Sequence, residues 1–404
     1  MGDNRRSKRT LLRRRRRWPW ITLGALFLVV TLAFGGIIFG GAQLLLTPHH
    51  GMTTAAGTVI ALDAAGDGAG DDQQITLKKS AVTERVGTYG LQWAADAGTS
   101  ATAGTATIGP VISSTADTVV RPISNIQGTL SVGTAVALNP NIYTGDPETS
   151  LGIPFSTVDV DGDLGTMPAW QVEGTGTTWV LFVHGIDGLK QSALRPLPTL
   201  VSAGLPTLVI SYRNDTDAPA SPNGLIHLGE TEWHDLDSAA AYALTQGATD
   251  FILYGDSMGG SMVTQFMHQS EYAPKVVGMV LDAPVLNWAG VLQGQADRLH
   301  VGFLGGALKA VVSWRGDIDL GMLNELTQTE TFENLPILLF QGLADPLVPP
   351  AESQQFAEAL PLATYVPVPD AGHIQSWNVD PASYEAHLAT FLASLAPVAE
   401  IPDG

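Results

Sequence analysis

The 404-residue chain contains no cysteine, so disulfides, thiol nucleophiles and cysteine-ligated zinc or iron–sulfur centres are all excluded. It has no HExxH pair, no glycine-rich dinucleotide fingerprint and no Walker loop, so neither a metal nor a nucleotide cofactor is implied. Basic residues are scarce outside one place. Nine of the 20 Lys and Arg fall within residues 5–17, and residues 18–404 carry 11 basic against 38 acidic residues, a formal net of −27. A body this acidic repels a phosphate backbone, which excludes nucleic acid as a partner.

What the chain does have begins with that basic block, residues 1–17. It is followed by Ile21 to Leu46, 26 residues without a charge. At ~1.5 Å rise per residue this run makes roughly 39 Å of helix, enough to cross a hydrocarbon core of about 30 Å with tilt. Trp18 and Trp20 suit the headgroup layer. A cleaved signal peptide has an apolar region of about 7–15 residues, much shorter than this one. Residues 18–46 therefore read as a retained transmembrane signal anchor, with the N-terminus cytoplasmic and the body extracytoplasmic.

Residues 47–74 include AAGDGAGDDQQ, which has no hydrophobic period, and read as a solvated tether. From 75 to 155 short β-prone runs such as TYGLQW and TVVRPI are broken by Gly, Pro and Asn, the pattern of a small β-rich accessory region. From 156 to 398 the rhythm changes. Apolar runs at 177–185, 206–212, 250–257, 276–284, 336–345 and 363–369 alternate with helical stretches, which predicts a mostly parallel sheet covered on both faces. In such sheets the site lies at the carboxyl ends of the strands.

Gly255-Asp256-Ser257-Met258-Gly259 is a G-x-S-x-G string. It closes the strand FILY and opens the helix GSMVTQFMHQ, the setting that a nucleophile elbow requires. Serine is a poor nucleophile without a base that is itself oriented by an acid. His373, in PDAGH just past the last strand, is placed to serve as base, and His184 reads as a loop-shaping residue. Asp345, ending its strand in FQGLADPLVP, is the first candidate acid, and Asp282, also at a strand end, is its rival. Asp256 reads as local structure. An oxyanion needs fixed N–H donors, expected from the Met258 and Ile186 amides.

The segments HGIDG, YGDSMGG, GLADPLVP and AGH, in this order, resemble the α/β-hydrolase superfamily over roughly residues 156–398. SYRND and EW-x-DL around Tyr212–Asp215 and Glu232–Leu236 resemble the bacterial membrane-anchored hydrolases of the Bem46-like type. The resemblance implies a serine hydrolase with a triad on Ser257, Asp345 and His373, and the leading reading of the chain is an enzyme acting on a small acyl ester, thioester or amide. The chain lacks the HGGG loop of secreted lipases. Residues 285–335 stand where such folds insert a lid; the segment is apolar enough to roof a pocket, and ordinary helix packing accounts for it nearly as well. A peptidase of the same fold, or an idle binding scaffold, are the alternatives. Nothing in the sequence indicates an oligomeric state.

Overall fold

The computed structural model describes residues 34–49, 56–63, 73–95 and 101–395. The basic block and the first part of the expected anchor lie outside them. Among the described residues no helix is long and apolar enough to cross a membrane. Helix α1, residues 34–46, is the described part of the apolar run. Its Ala42 and Leu46 side chains are fully buried in the main hydrophobic core, and the Leu46 carbonyl accepts the Ile226 N–H at 2.8 Å.

Seven antiparallel strands follow: β1 (Gly57–Asp63), β2 (Gln74–Lys78), β3 (Tyr89–Trp93), β4 (Gly104–Ile108), β5 (Ser113–Ser114), β6 (Thr118–Gln127) and β7 (Ala135–Asn139). They run in the order β2-β1-β7-β3-β4-β6-β5, and pairing of β2 with β6 closes the sheet into a barrel. Closure works because β6 is ten residues long: its first half pairs with β2 and its second half with β4. Full closure removes the exposed edges that an open sheet would leave. The interior holds Ile75, Leu77, Tyr89, Leu91, Trp93 and Ile108. β1 lies within the stretch read from sequence as tether: GTVIALD pairs with β2 and β7, and residues 64–72 of that stretch are outside the described residues.

Residues 140–155, assigned from sequence to the accessory region, instead pack against the second domain. Ile142, Tyr143, Leu151 and Phe155 cover one of its apolar clusters, with α2 (Pro147–Leu151) among them. That domain has eight strands: β8 (Ser156–Gly162), β9 (Gly165–Val172), β10 (Thr178–Val183), β11 (Thr207–Val209), β12 (Asp250–Asp256), β13 (Val276–Asp282), β14 (Ile337–Gly342) and β15 (Ala363–Val368). Their order is β15-β14-β13-β12-β10-β11-β9-β8. The pairings among β10 to β15 are all parallel, while β9 runs antiparallel to both β11 and β8 and forms a hairpin with β8 at one edge. The six parallel strands coincide with the six apolar runs of the sequence.

Helices α3 (Leu197–Ser202), α4 (Trp233–Thr245), α5 (Met258–Gln269), α6 (Trp288–Arg298), α7 (Gly305–Gly316), α8 (Pro350–Glu358), α9 (Ser376–Val379) and α10 (Pro381–Leu395) complete the domain. Two apolar clusters mark the two covered faces. One contains Leu181, Leu253, Met262, Phe266 and Leu339, and the other Val180, Phe182, Ile252, Tyr254 and Phe340. The strand residues among them alternate along β10, β12 and β14, as the period of two demands, and Met262 and Phe266 come from α5, which covers the first face. Strand order reverses at β10, which lies between β11 and β12, so the loops after β10 and β12 diverge and leave a crevice.

Candidate active site

Ser257 follows β12 and precedes α5 with φ 51° and ψ −115°, a strained conformation for a residue with a Cβ. The surrounding chain holds it there. Ser257 N–H donates to Asp282 O at 3.0 Å, and Ser257 O accepts the Gly260 and Val285 N–H groups at 2.9 and 3.0 Å. The turn is tight enough that a Cβ on Gly259 would stand 2.2 Å from Val183 O, so this position requires glycine. The hydroxyl is thereby presented at the carboxyl end of the sheet.

His373 Nε2 lies 2.7 Å from Ser257 Oγ, and His373 Nδ1 lies 2.8 Å from Asp345 Oδ2. Three residues separated by up to 116 positions thus form one continuous hydrogen-bonded chain. The Asp345 carboxylate is fully buried and held in place: Oδ1 accepts the Leu347 and Val348 N–H groups at 2.7 and 3.0 Å, and Oδ2 accepts from Gln341 Nε2 at 3.2 Å.

Asp282, the rival acid, makes no hydrogen bond to His373; it accepts from Ser376 Oγ at 3.3 Å. It lies beneath the elbow with Asp256, both fully buried. Desolvation pushes the Asp256 carboxyl up to about 7, helped by Asp282, while Arg195 opposes. Desolvation likewise pushes Asp282 up to about 6, against the pull of Arg195. Arg195 Nη2 stands 3.8 Å from Asp256, and its Nη1 donates to Ile374 O at 2.8 Å and Asn378 Oδ1 at 3.1 Å. This buried acid pair and its arginine form a floor that joins the serine turn to the histidine loop.

As the first residue of α5, Met258 leaves its N–H free at the positive end of that helix. Ile186 follows Gly185, where a Cβ would come 2.9 Å from Ser257 Cβ, so the 185–186 backbone runs close over the serine. His184 makes no hydrogen bond to Ser257. Its ring nitrogens meet Gly185 O at 2.9 Å and Asp215 Oδ2 at 3.0 Å, and the ring stacks on Tyr212. Burial opposes its charge, but the Asp215 carboxylate outweighs burial and raises its pKa. With acceptors at both nitrogens, the imidazolium is the form that fits.

The SYRND and EW-x-DL segments build the wall behind this loop. Arg213 makes a two-pronged ion pair with Asp235, at 2.8 and 2.7 Å. Glu232 accepts the His227 and Gly229 N–H groups at 2.6 and 2.9 Å.

A cavity of about 870 Å³ opens over His373. One wall comes from the α/β domain: Ile186, Leu189, Leu347 and Ile374. The opposite wall is the barrel, through Ala81, Arg85 and the 139–141 turn. Residues 285–335 contribute nothing to it, contrary to the roof considered from sequence; at the start of that segment Trp288 turns inward and donates to Leu228 O at 2.8 Å. The barrel wall is pinned to the histidine loop. Asn378 Nδ2 lies 2.8 Å from both Thr88 O and Pro140 O, and Asn378 O accepts the Thr88 N–H at 2.8 Å. Tyr89 Oη lies 3.1 Å from Gln375 Oε1, two residues beyond His373. Arg121, fully buried inside the barrel, donates to the Thr83, Arg85 and Gly87 carbonyls and so fixes the loop that faces the cavity. Sequence reasoning missed this wall because its contacts join residues nearly 300 positions apart.

Comparison with known proteins agrees with this division. Residues 58–139, the barrel, match a domain of unknown function, and residues 319–397 match the family described as TAP-like protein. No curated protein matches. An esterase of Pyrococcus furiosus is similar in two crystal forms. One has 18% identity and a TM-score of 0.51 over 63% of this chain and 95% of that one; the other has 17% and 0.50 over 62% and 97%. An esterase of Thermogutta terrifontis has 18% identity and a TM-score of 0.45 over 60% of this chain and 100% of that one. The part of the chain that carries Ser257, Asp345 and His373 has the fold of the α/β-hydrolase superfamily.

Proposed function

We propose that the protein is a serine hydrolase that cleaves an ester through an acyl-enzyme intermediate. The observation that carries this reading is the unbroken chain from the strained Ser257 hydroxyl through His373 to the buried Asp345. His373 Nε2 takes the Ser257 proton as Oγ attacks the acyl carbon, and returns it to the departing alcohol oxygen. Asp345 accepts from Nδ1–H, which fixes the tautomer and stabilises the imidazolium. The Met258 and Ile186 amides receive the oxyanion. Water, deprotonated by His373, then releases the acid and regenerates Ser257. The similar solved structures are esterases, which favours an ester over a peptide bond.

The test is a p-nitrophenyl ester of short-to-medium chain length with the full-length protein. A pre-steady-state burst of nitrophenolate is expected, and Ser257→Ala should abolish it. A folded wild-type protein that hydrolyses no ester in a broad panel would overturn the reading; cleavage of aminoacyl amides alone would change the substrate class.

Residues 18–46 act, in the same reading, as a membrane anchor with the body extracytoplasmic, the arrangement also implied by the resemblance to the Bem46-like type. The support is the basic block followed by a 26-residue uncharged run.

A further inference from the structure

The exposed apolar surface is unevenly distributed. Among the described residues the five most exposed large hydrophobic side chains are Phe303, Trp314, Leu299, Leu44 and Ile37, from 75% down to 61%. All five lie on α1 or on the segment from the end of α6 through α7. These two pieces touch: Phe34 packs edge-to-face on Phe303 at 5.9 Å, Gly41 faces Leu308, and Leu46 reaches Gly316. From Phe303, in the turn that leads into α7, through Ala307, Ala310 and Trp314 on α7, exposed positions recur at helical spacing as one stripe. No acidic residue occurs between Asp297 and Asp317, although the chain as a whole carries −19; Lys309 and Arg315 lie in that interval.

We propose that this face, made by α1 and α7 together, is seated in the headgroup and outer acyl layer of a lipid bilayer. The proposal rests on the anchor reading of residues 18–46, and it adds a second membrane contact made by the α/β domain itself. The lengths require one. A hydrocarbon core of about 30 Å uses roughly 20 helical residues, so a span counted from Ile21 ends near Gly40. Phe34 and Ile37 fall before that boundary, and Phe303, packed on Phe34, is carried to the same depth. Leu44 and Trp314 then fall in the interfacial layer, where Trp is favoured and where Lys309 and Arg315 meet anionic headgroups. The acidic remainder of the body is repelled from such a surface, which orients the molecule.

This seating bears on the site. Gln295 and Arg298, on the helix that leads into the stripe, donate to the Pro346 and Leu347 carbonyls at 2.8, 3.0 and 2.6 Å. Pro346 and Leu347 form part of the cavity rim. The proposed lipid contact is therefore tied to the mouth of the site, so that a substrate held in the membrane reaches the cavity without crossing open water.

Because the chain has no cysteine, single substitutions give unique labels. The full-length protein is reconstituted into phosphatidylcholine–phosphatidylglycerol vesicles carrying nitroxide-labelled acyl chains, with a bimane attached to Phe303→Cys, Trp314→Cys or Leu362→Cys. Leu362 is exposed but lies far along the chain from this face. Bimane at positions 303 and 314 should be quenched by the lipid at least about twofold more than at 362. Equal quenching at all three sites, in protein that resists alkaline extraction, overturns the seating and leaves the anchor intact. Release of the protein by alkaline carbonate overturns the anchor reading and the seating with it. Shielding of 303 that follows protein concentration in detergent, without lipid, assigns the face to a second copy of the chain and also overturns the proposal.

Discussion

The barrel and the α/β domain meet at one cavity but are built by opposite rules. In the α/β domain each functional side chain stands at the end of a strand whose own neighbours fix it: Ser257 after β12, Asp345 after β14 and His373 after β15. The barrel supplies no member of that chain. It contributes backbone and one loop, and the loop is held by the buried Arg121 guanidinium rather than by strand pairing. Positioning within the α/β domain is local and rigid, whereas the barrel wall depends on a few polar contacts across a domain boundary. The α/β domain therefore carries the proposed chemistry, and the barrel shapes what reaches it.

The sharpest way to break this division is to alter the acid. Asp345→Asn keeps the shape but removes the acceptor that fixes the His373 tautomer, and kcat should fall on the order of 10⁴. Asp282→Asn should cost far less, because Asp282 bonds Ser376 and not His373. Steady-state kinetics on one ester separates the two, and the reverse ranking would move the acid to the elbow floor.

A smaller effect is expected on the barrel side. Arg121→Met fills similar volume but leaves the Thr83, Arg85 and Gly87 carbonyls buried without their donor, at roughly 1–3 kcal/mol each. The barrel should unfold earlier in urea than the α/β domain. KM for a bulky ester should rise more than KM for an acetyl ester, since the far wall is what loosens. Equal losses for both esters would mean that the barrel acts on the histidine loop and not on the substrate.

The smallest effect concerns the elbow floor. The Asp256 carboxyl is raised to about 7 in the folded protein, so the folded state retains a proton that the unfolded chain has released. That contribution to stability is complete below the ordinary carboxylate range and is lost as pH rises towards 7. Asp256→Asn cannot ionise, so stability should fall less between pH 5 and pH 8 than in the wild type. Parallel stability profiles for the two proteins would contradict the buried-acid account.

How much of this was legible in the sequence follows from the range of the interactions. The six parallel strands and the elbow are local signals: a continuous apolar run, then Gly-x-Ser-x-Gly, then a helix. His373 and Asp345 were legible because strand ends converge in such a sheet. Barrel closure was not legible, because it depends on Gln74–Lys78 pairing with Thr118–Pro122 some 40 positions away, and short Thr- and Gly-rich strands give a weak period. Arg121 reads as a surface charge until four carbonyls, those of Thr83, Arg85, Gly87 and Gly109, are found around it. Asp215 looks like an ordinary loop acid until His184 is seen beside it. The exposed stripe on α7 was visible as apolar composition, but its contact with α1 links segments about 270 residues apart.

The central claim is that Ser257 is an activated nucleophile, and labelling reads it without knowledge of the substrate. The full-length protein is treated with a fluorophosphonate, and intact-mass and peptide mass spectrometry locate the adduct. One adduct per chain on the Ser257 peptide, absent from Ser257→Ala and strongly slowed in Asp345→Asn, is the result predicted here. A folded wild-type protein that acquires no adduct, or acquires it on another serine, would contradict it.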